Sequence, residues 1–281
     1  MSYVDLDFRN AIKMISIRGG SGLGDALYVQ AIARHLVSEK RTVEVCNDWP
    51  DIFLPIKNKV TISPFRRKDI THLAHYASRR YAIGTTQFED CCLNANITAP
   101  VDLRLDWKTQ NVPLSFSLHK SGKPVVLVQL PRAPFARSDG YGMALLPDCR
   151  AIQRAINSLA GKAYLVQVGT GQALYKFDNI DLDLVGKTSV SDLIDAARCA
   201  DLFLGYCSFA VPLTESLGKH SLLFWAQAGL RSRDQLIASI TPKKIIHRQD
   251  LATVLMDDCS GGEIQKATNA FFEQTRYSAA V

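Results

Sequence analysis

No uncharged apolar run in this 281-residue chain approaches the roughly 18 residues that a membrane span requires. The N-terminus also lacks a basic stretch followed by an apolar core. A soluble, cytoplasmic protein is expected, with peripheral attachment to a membrane through basic residues left open. The seven cysteines are odd in number and never fall at C-x-x-C spacing, which argues against a disulfide framework and against a structural zinc site. Cys91 and Cys92 read as buried apolar filling. Low-complexity tracts and short-period repeats are absent too. Charge of one sign is not in large excess: 33 basic against 27 acidic side chains, of which 16 and 12 lie at or before Lys120. So small an imbalance does not demand a nucleic-acid partner, although it suits a phosphate-bearing acceptor.

Two nucleotide-binding fingerprints are missing as well. GGSGLGDAL cannot be aligned to G-x-G-x-x-G without losing a glycine, which argues against NAD. GKT at 186–188 is not a Walker loop, because that motif needs glycine where the chain has Asp181. A kinase or ATPase reading falls with it. Two D-x-D triplets, Asp5/Asp7 and Asp181/Asp183, are the spacing at which paired carboxylates hold a divalent metal. The first pair reads as solvated and the second as a half-exposed strand, so no metal is expected.

What is present is an alternation of strand and helix with 47% hydrophobic residues, enough for two medium domains. MISIRG reads as a strand, ALYVQAIARHLVSE as a helix and TVEVCN as a second strand, while residues 51–120 are too irregular to assign. Gly and Pro in HKSGKP (119–124) punctuate a break. From PVVLVQL (124–130) a second unit follows: helix CRAIQRAINSLA, strand AYLVQVG, a short DLDLVG segment, helix SVSDLIDAARC, strand ADLFLGY, helix VPLTESLG and strand SLLFWA. EIQKATNAFFEQTRY reads as a final amphipathic helix. The expected organisation is α/β, with two Rossmann-like domains over 1–120 and 121–262 facing each other across a cleft. The helix at 263–281 is expected to pack back on the N-terminal domain.

The glycine-rich turn between the first strand and its helix holds Gly19, Gly20, Gly22, Leu23 and Gly24, then Asp25. Backbone N–H groups can approach a ligand closely there, and the helix start favours negative charge. Asp25 on its own residues reads as a cap for the free N–H groups of the helix.

RGGSGLGDALYVQAIARHL, together with DLVGKTSVSDLIDAARCADLFLGYCSFAVPLTESLGKHSLLFW, resembles the heptosyltransferase group of bacterial glycosyltransferases, glycosyltransferase family nine, of the GT-B fold. The first segment is similar to that family's G-[LM]-G-D turn, and the second to its G-K-T-S, helix, A-D-L-x-x-G, helix, strand succession. The resemblance implies metal-independent, inverting transfer of a sugar from a nucleotide-diphosphate donor, held by the C-terminal domain, to an acceptor held by the N-terminal one. It places Asp25 as general base on the acceptor hydroxyl. Candidate donor contacts are Arg132 and Arg137 in PRAPFAR, Gly169 and Thr170, Lys187 and Thr188, Ser208, and Glu215 on the ribose. The chain departs from the family where Cys207-Ser208-Phe209 replaces Asp-Ser/Thr-Gly and no histidine follows, which bears on donor identity, ADP-heptose above all.

On the acceptor side, Arg66, Arg67, Arg79 and Arg80 with Phe65, Tyr76 and Tyr81 form a basic and aromatic stretch. It suits the phosphates of a lipopolysaccharide core, the backbone of hydroxymethylated DNA in a phage-infected host, or a solvated face. Epimerisation of a nucleotide sugar and non-catalytic binding of a nucleotide or glycan remain as further alternatives.

Overall fold

The computed structural model describes residues 14–64, 69–76, 86–119, 122–131, 146–170, 175–227 and 241–278. Two separate parallel sheets form its layers. The first holds β1 (Ile15–Arg18), β2 (Val43–Cys46), β3 (Val60–Ser63) and β4 (His72–Leu73) in the order β3-β2-β1-β4. The second holds β5 (Val125–Gln129), β6 (Tyr164–Val168), β7 (Leu182–Asp183), β8 (Leu202–Tyr206), β9 (His220–Trp225) and β10 (Ala252–Met256) in the order β10-β9-β8-β5-β6-β7. In each sheet the chain builds outward one way and then crosses back over its first strand. That leaves a crevice at the carboxyl ends of β1 and β4, and another at those of β5 and β8.

The helices are α1 (Leu23–Ser38), α2 (Gln87–Asn94), α3 (Val112–His119), α4 (Cys149–Leu159), α5 (Val190–Cys199), α6 (Ala210–Ser216), α7 (Pro242–Ile245) and α8 (Gly261–Ser278). Each strand or helix read from periodicity is found. Strands β1, β2, β5 and β8 are buried along nearly their whole length because both of their faces are covered, and the buried polar Ser16 and Glu44 of β1 and β2 hydrogen-bond to each other. Residues 51–119 contain a 3-10 helix (Pro50–Ile56), β3, β4, α2 and α3, and close the first sheet without a strong pattern of their own.

One apolar core runs from the first sheet through α1, α5 and α6 onto one face of the second sheet, joining Ile17, Leu27, Ile32, Ala210, Leu213, Leu127 and Leu223. A second core fills the other face with Val126, Val128, Ile152, Ile156 and Phe224. Helix α8 belongs to this second core: Ile264 and Phe271 are buried in it, and the helix lies along α4 and β10. The expectation that the terminal helix returns to the N-terminal domain is therefore corrected. Its apolar stripe is complementary to the α4 face left open beside β5, and burying it there completes the outer layer of the second sheet.

A strap joins the two sheets elsewhere. After β9 the chain passes through α7, where Lys244 pairs with the fully buried Asp90 of α2 at 2.6 Å. His247 then packs edge-on against Phe88, with ring centroids 5.1 Å apart, and lies 3.3 Å from the Thr86 hydroxyl. Among the described residues no helix is long and apolar enough to cross a membrane.

Candidate functional site

The turn after β1 owes its glycines to lack of room, since none of Gly19, Gly20, Gly22 or Gly24 has a positive φ. A Cβ on Gly19 would meet Val29 Cγ2 at 2.5 Å and the Ala74 carbonyl at 3.0 Å. One on Gly20 would lie 2.2 Å from Asp25 Oδ2 and 2.9 Å from His75 Cδ2. One on Gly24 would meet Pro212 Cγ at 3.0 Å and Phe209 Cα at 3.2 Å. Trp49 fixes the far side of the turn by donating its indole N–H to the Ser21 carbonyl at 2.9 Å.

Asp25 is the third residue of α1, and its Oδ2 accepts the Gly22 N–H at 3.1 Å. It thus supports the helix start while sitting in the crevice between β1 and β4. Burial raises its pKa above the usual carboxylate value; the charge of His75 and the Gly22 N–H pull the other way, with less effect. Behind it, Tyr28 and Cys91 are fully buried and hold their protons well above their ordinary range, burial being the main cause in both.

Because Gly24 touches Phe209, Asp25 and Ser208 are the next residues out from a direct contact between the two sheets' crevices. Ser208 follows β8 and exchanges hydrogen bonds with Gln129 at the end of β5: the Gln129 amide donates to Oγ at 2.8 Å and Oγ donates back to Oε1 at 3.0 Å. Gly169 and Thr170 follow β6, next to Leu130. Lys187 and Thr188 follow β7, and the Gly186 N–H donates to the Gly169 carbonyl at 2.9 Å, so these two turns are one surface. Gly186 needs its glycine for conformation, with φ at +68°. Lys187 folds its ammonium back on the Asp183 carbonyl at 2.8 Å, at an exposed position. Ser208, Gly169, Thr170, Lys187 and Thr188 therefore lie along the carboxyl-end edge of the second sheet, and the contact of Gly24 with Phe209 joins that edge to the turn that carries Asp25.

Glu215 is elsewhere. It lies in the last turn of α6, about 10 Å of helix axis from Ser208. There its Oε1 accepts the Arg248 N–H at 2.8 Å, and it lines a pocket of about 310 Å³ with Val101–Leu105. Its other oxygen has no hydrogen-bond partner, and burial pushes its pKa up to about 7. A carboxyl raised from 4.5 to about 7 on folding stabilises the fold fully below pH 4.5, and that contribution is lost as pH rises to 7. Glu215→Gln keeps an acceptor for Arg248 and removes the titration. Urea unfolding from pH 4.5 to 8 is expected to lose a fall of about 3 kcal/mol present in the parent; an unchanged slope would assign that fall to other groups.

Asp181 and Asp183 each spend a carboxylate oxygen on a backbone N–H, of Leu165 and Val185 respectively. Among the described residues no group of three or more His, Cys, Asp or Glu gathers as metal ligands would. Arg66, Arg67, Arg79, Arg80, Arg132 and Arg137 lie outside the described residues. Two site residues escaped sequence reasoning, His75 and Gln129. Neither stands in a recognisable motif, and only strand register brings them in: Ile17 pairs with His72, and Val128 with Leu204.

No family model matches the sequence, and no curated protein matches it. Solved structures do match. The chain is similar to E. coli ADP-heptose LPS heptosyltransferase II, with a TM-score of 0.58 and 13% identity over 94% of this chain and 99% of that one. It is similar to a family 9 glycosyl transferase from Veillonella parvula, with a TM-score of 0.63 and 10% identity over 93% and 97%. It is also similar to E. coli heptosyltransferase WaaC with ADP, at 0.51 and 12% over 95% and 99%. At these identities the likeness is one of fold: the chain has a heptosyltransferase-like GT-B fold.

Proposed function

We propose that this protein is a glycosyltransferase that moves a sugar from a nucleotide-diphosphate donor to a hydroxyl acceptor. The observation that supports the reading is Asp25, a part-buried carboxylate with a raised pKa in the crevice of one sheet, one residue from the contact that Gly24 makes with Phe209 of the other. The donor diphosphate rests on Ser208, Gly169, Thr170 and Thr188, with Lys187, Arg132 and Arg137 supplying positive charge. The acceptor hydroxyl lies against the turn formed by Gly22, Leu23 and Gly24. Asp25 takes the hydroxyl proton as the oxygen attacks the anomeric carbon, and the bond to the diphosphate breaks with its electrons leaving on the phosphate oxygen. Displacement from the opposite face inverts the anomeric centre. The charge that develops on the leaving group is met by cations and backbone donors of the chain itself, so the reaction needs no metal.

Of the E. coli structures it resembles, heptosyltransferase II is named for ADP-heptose and LPS, and WaaC was solved with ADP. A phosphate-bearing glycan such as lipopolysaccharide core is the acceptor class that fits the basic segments at Arg66, Arg67, Arg79 and Arg80. Thermal unfolding against ADP-, UDP-, GDP- and CDP-sugars, with EDTA or Mg²⁺, tests the donor site. A donor at about a hundred times its dissociation constant adds roughly 2.7 kcal/mol. The expected result is stabilisation by one nucleotide class, equal with and without metal. Stabilisation by none overturns the donor site, and stabilisation only with Mg²⁺ overturns the metal-free mechanism. Mass gain on phosphorylated glycan rather than on hydroxymethylated duplex DNA then fixes the acceptor class.

A further inference from the structure

We infer that His75 works with Asp25 as one unit, a positioning residue that keeps the carboxylate ionised and aimed while the crevice is closed to water. The inference rests on the reading of Asp25 as the base and names the group that makes such a base workable. A carboxylate moved out of water holds its proton more tightly, which strengthens it as a base but also fills it with a proton before the acceptor arrives. A neighbouring cation corrects this.

The backbone delivers His75 to that position. Strand β4 runs beside β1 with Arg18 opposite Leu73, and the Ala74 N–H continues the pairing to the Arg18 carbonyl at 2.7 Å. His75 therefore comes level with the Gly19-Gly20 turn. Asn94 of α2 donates to the His75 carbonyl at 3.1 Å, and the imidazole stacks on Tyr76 with centroids 4.7 Å apart and planes 20° from parallel. Both side chains border Gly20: the space a methyl group would take there is bounded by Asp25 Oδ2 and His75 Cδ2 together. Glycine at position 20 is what lets the carboxylate and the imidazole share that wall.

Among the described residues, the other groups that act on Asp25 do not supply positive charge. Tyr28 comes from its own helix and Cys91 from α2; both are buried and protonated, and both feel Asp25 as a repelling charge. Gly22 gives a neutral N–H. The charge that favours the ionised form of Asp25 comes from His75.

The test is a ¹³C-carboxyl NMR titration of Asp25, its resonance assigned by loss in Asp25→Asn, in the parent, His75→Gln, His75→Arg and a control on the same strand, His72→Gln. The expected result is an Asp25 midpoint higher by about one pH unit or more in His75→Gln. It should return toward the parent value in His75→Arg and stay unmoved in His72→Gln. The acid limb of the pH–rate profile for transfer should move with it, which a purely structural role would not produce. A folded His75→Gln protein with an unshifted Asp25 midpoint overturns the inference. Should His75→Gln fail to fold, His75→Asn and His75→Arg decide: the Asp25 midpoint must be higher in the neutral variant than in the charged one, and equal midpoints overturn the pairing. A shifted midpoint without transfer to any acceptor would instead sink the transferase reading and leave the pairing standing.

Discussion

Asp25→Asn is expected to lower sugar transfer by about 10²–10⁴-fold, the span a lost general base accounts for, with the donor dissociation constant changed by no more than about twofold. The asymmetry follows from where the residue sits. Asp25 belongs to the first sheet's crevice, while Ser208, Gly169, Thr170 and Lys187 line the second sheet's edge. Removing the base therefore leaves donor contacts in place. Stability supplies the control. The amide oxygen can still accept the Gly22 N–H that the carboxylate accepts at 3.1 Å, so the start of α1 keeps its support. Burial holds the pKa of Asp25 above its unfolded value, so the fold loses stability as pH rises through that range and the ionised carboxylate is carried at a cost. Replacing it with a neutral group is thus expected to leave unfolding at pH 8 unchanged or shifted upward. Low activity in a protein that is no less stable separates a chemical role from a capping role. Full activity in the variant removes Asp25 from the reaction, and a large loss of stability makes it chiefly a helix cap.

The strands and helices of both sheets were legible because each reports on its own burial: parallel strands covered on both faces are short, mainly apolar runs, and α4 or α5 shows the helical period of one buried face. Residues 51–119 were not, since β4 is two residues long, β3 is half exposed, and α3 leaves Val112 and Phe116 in solvent. The docking of α8 was misjudged for a related reason. An amphipathic stripe states that a helix packs, not on what, and the open α4 face exists only once the second sheet has formed. At the site, Asp25 was visible because the crowding that requires glycine falls within six residues of it. His75 and Gln129 were hidden because their roles come from strand register across 50 residues or more, with Ile17 opposite His72 and Gln129 bonded to Ser208. Glu215 shows what a motif leaves out: its place in LTESLG says that it lies on a helix, but not that it sits at the end of α6 away from the Ser208 turn and accepts the Arg248 N–H.

Asp195→Ala is expected to remove about 3–5 kcal/mol of unfolding free energy, more than any other single truncation considered above. Asp195 is fully buried on α5, and its carboxylate accepts three N–H groups from the segment that joins the two sheets. The Trp107 indole donates to Oδ1 at 2.7 Å, and the Gln110 and Asn111 backbones donate to Oδ2 at 2.9 and 2.6 Å. No other side chain in the described residues is bonded to so many donors across so long a stretch of sequence. Deleting it strands the indole N–H of the buried Trp107, takes the shared acceptor from the part-buried N–H groups of Gln110 and Asn111, and opens a small void beside Trp107. Asp195→Asn should be nearly as damaging, since one of its two positions then offers a donor to backbone donors. The effect reaches function because the same segment binds the second sheet again, where the Leu105 N–H donates to the Ser216 carbonyl of α6 at 2.7 Å. Releasing residues 105–111 loosens the packing of α1 on α6, and with it the contact of Gly24 on Phe209 that joins the two crevices. Transfer is therefore expected to fall in Asp195→Ala through the rate, with donor affinity less affected, even at temperatures where the variant is folded. A loss of stability below about 1 kcal/mol would mean that water replaces the carboxylate at all three donors, and would show that the two crevices are held in register by the apolar contact of α1 and α6 alone.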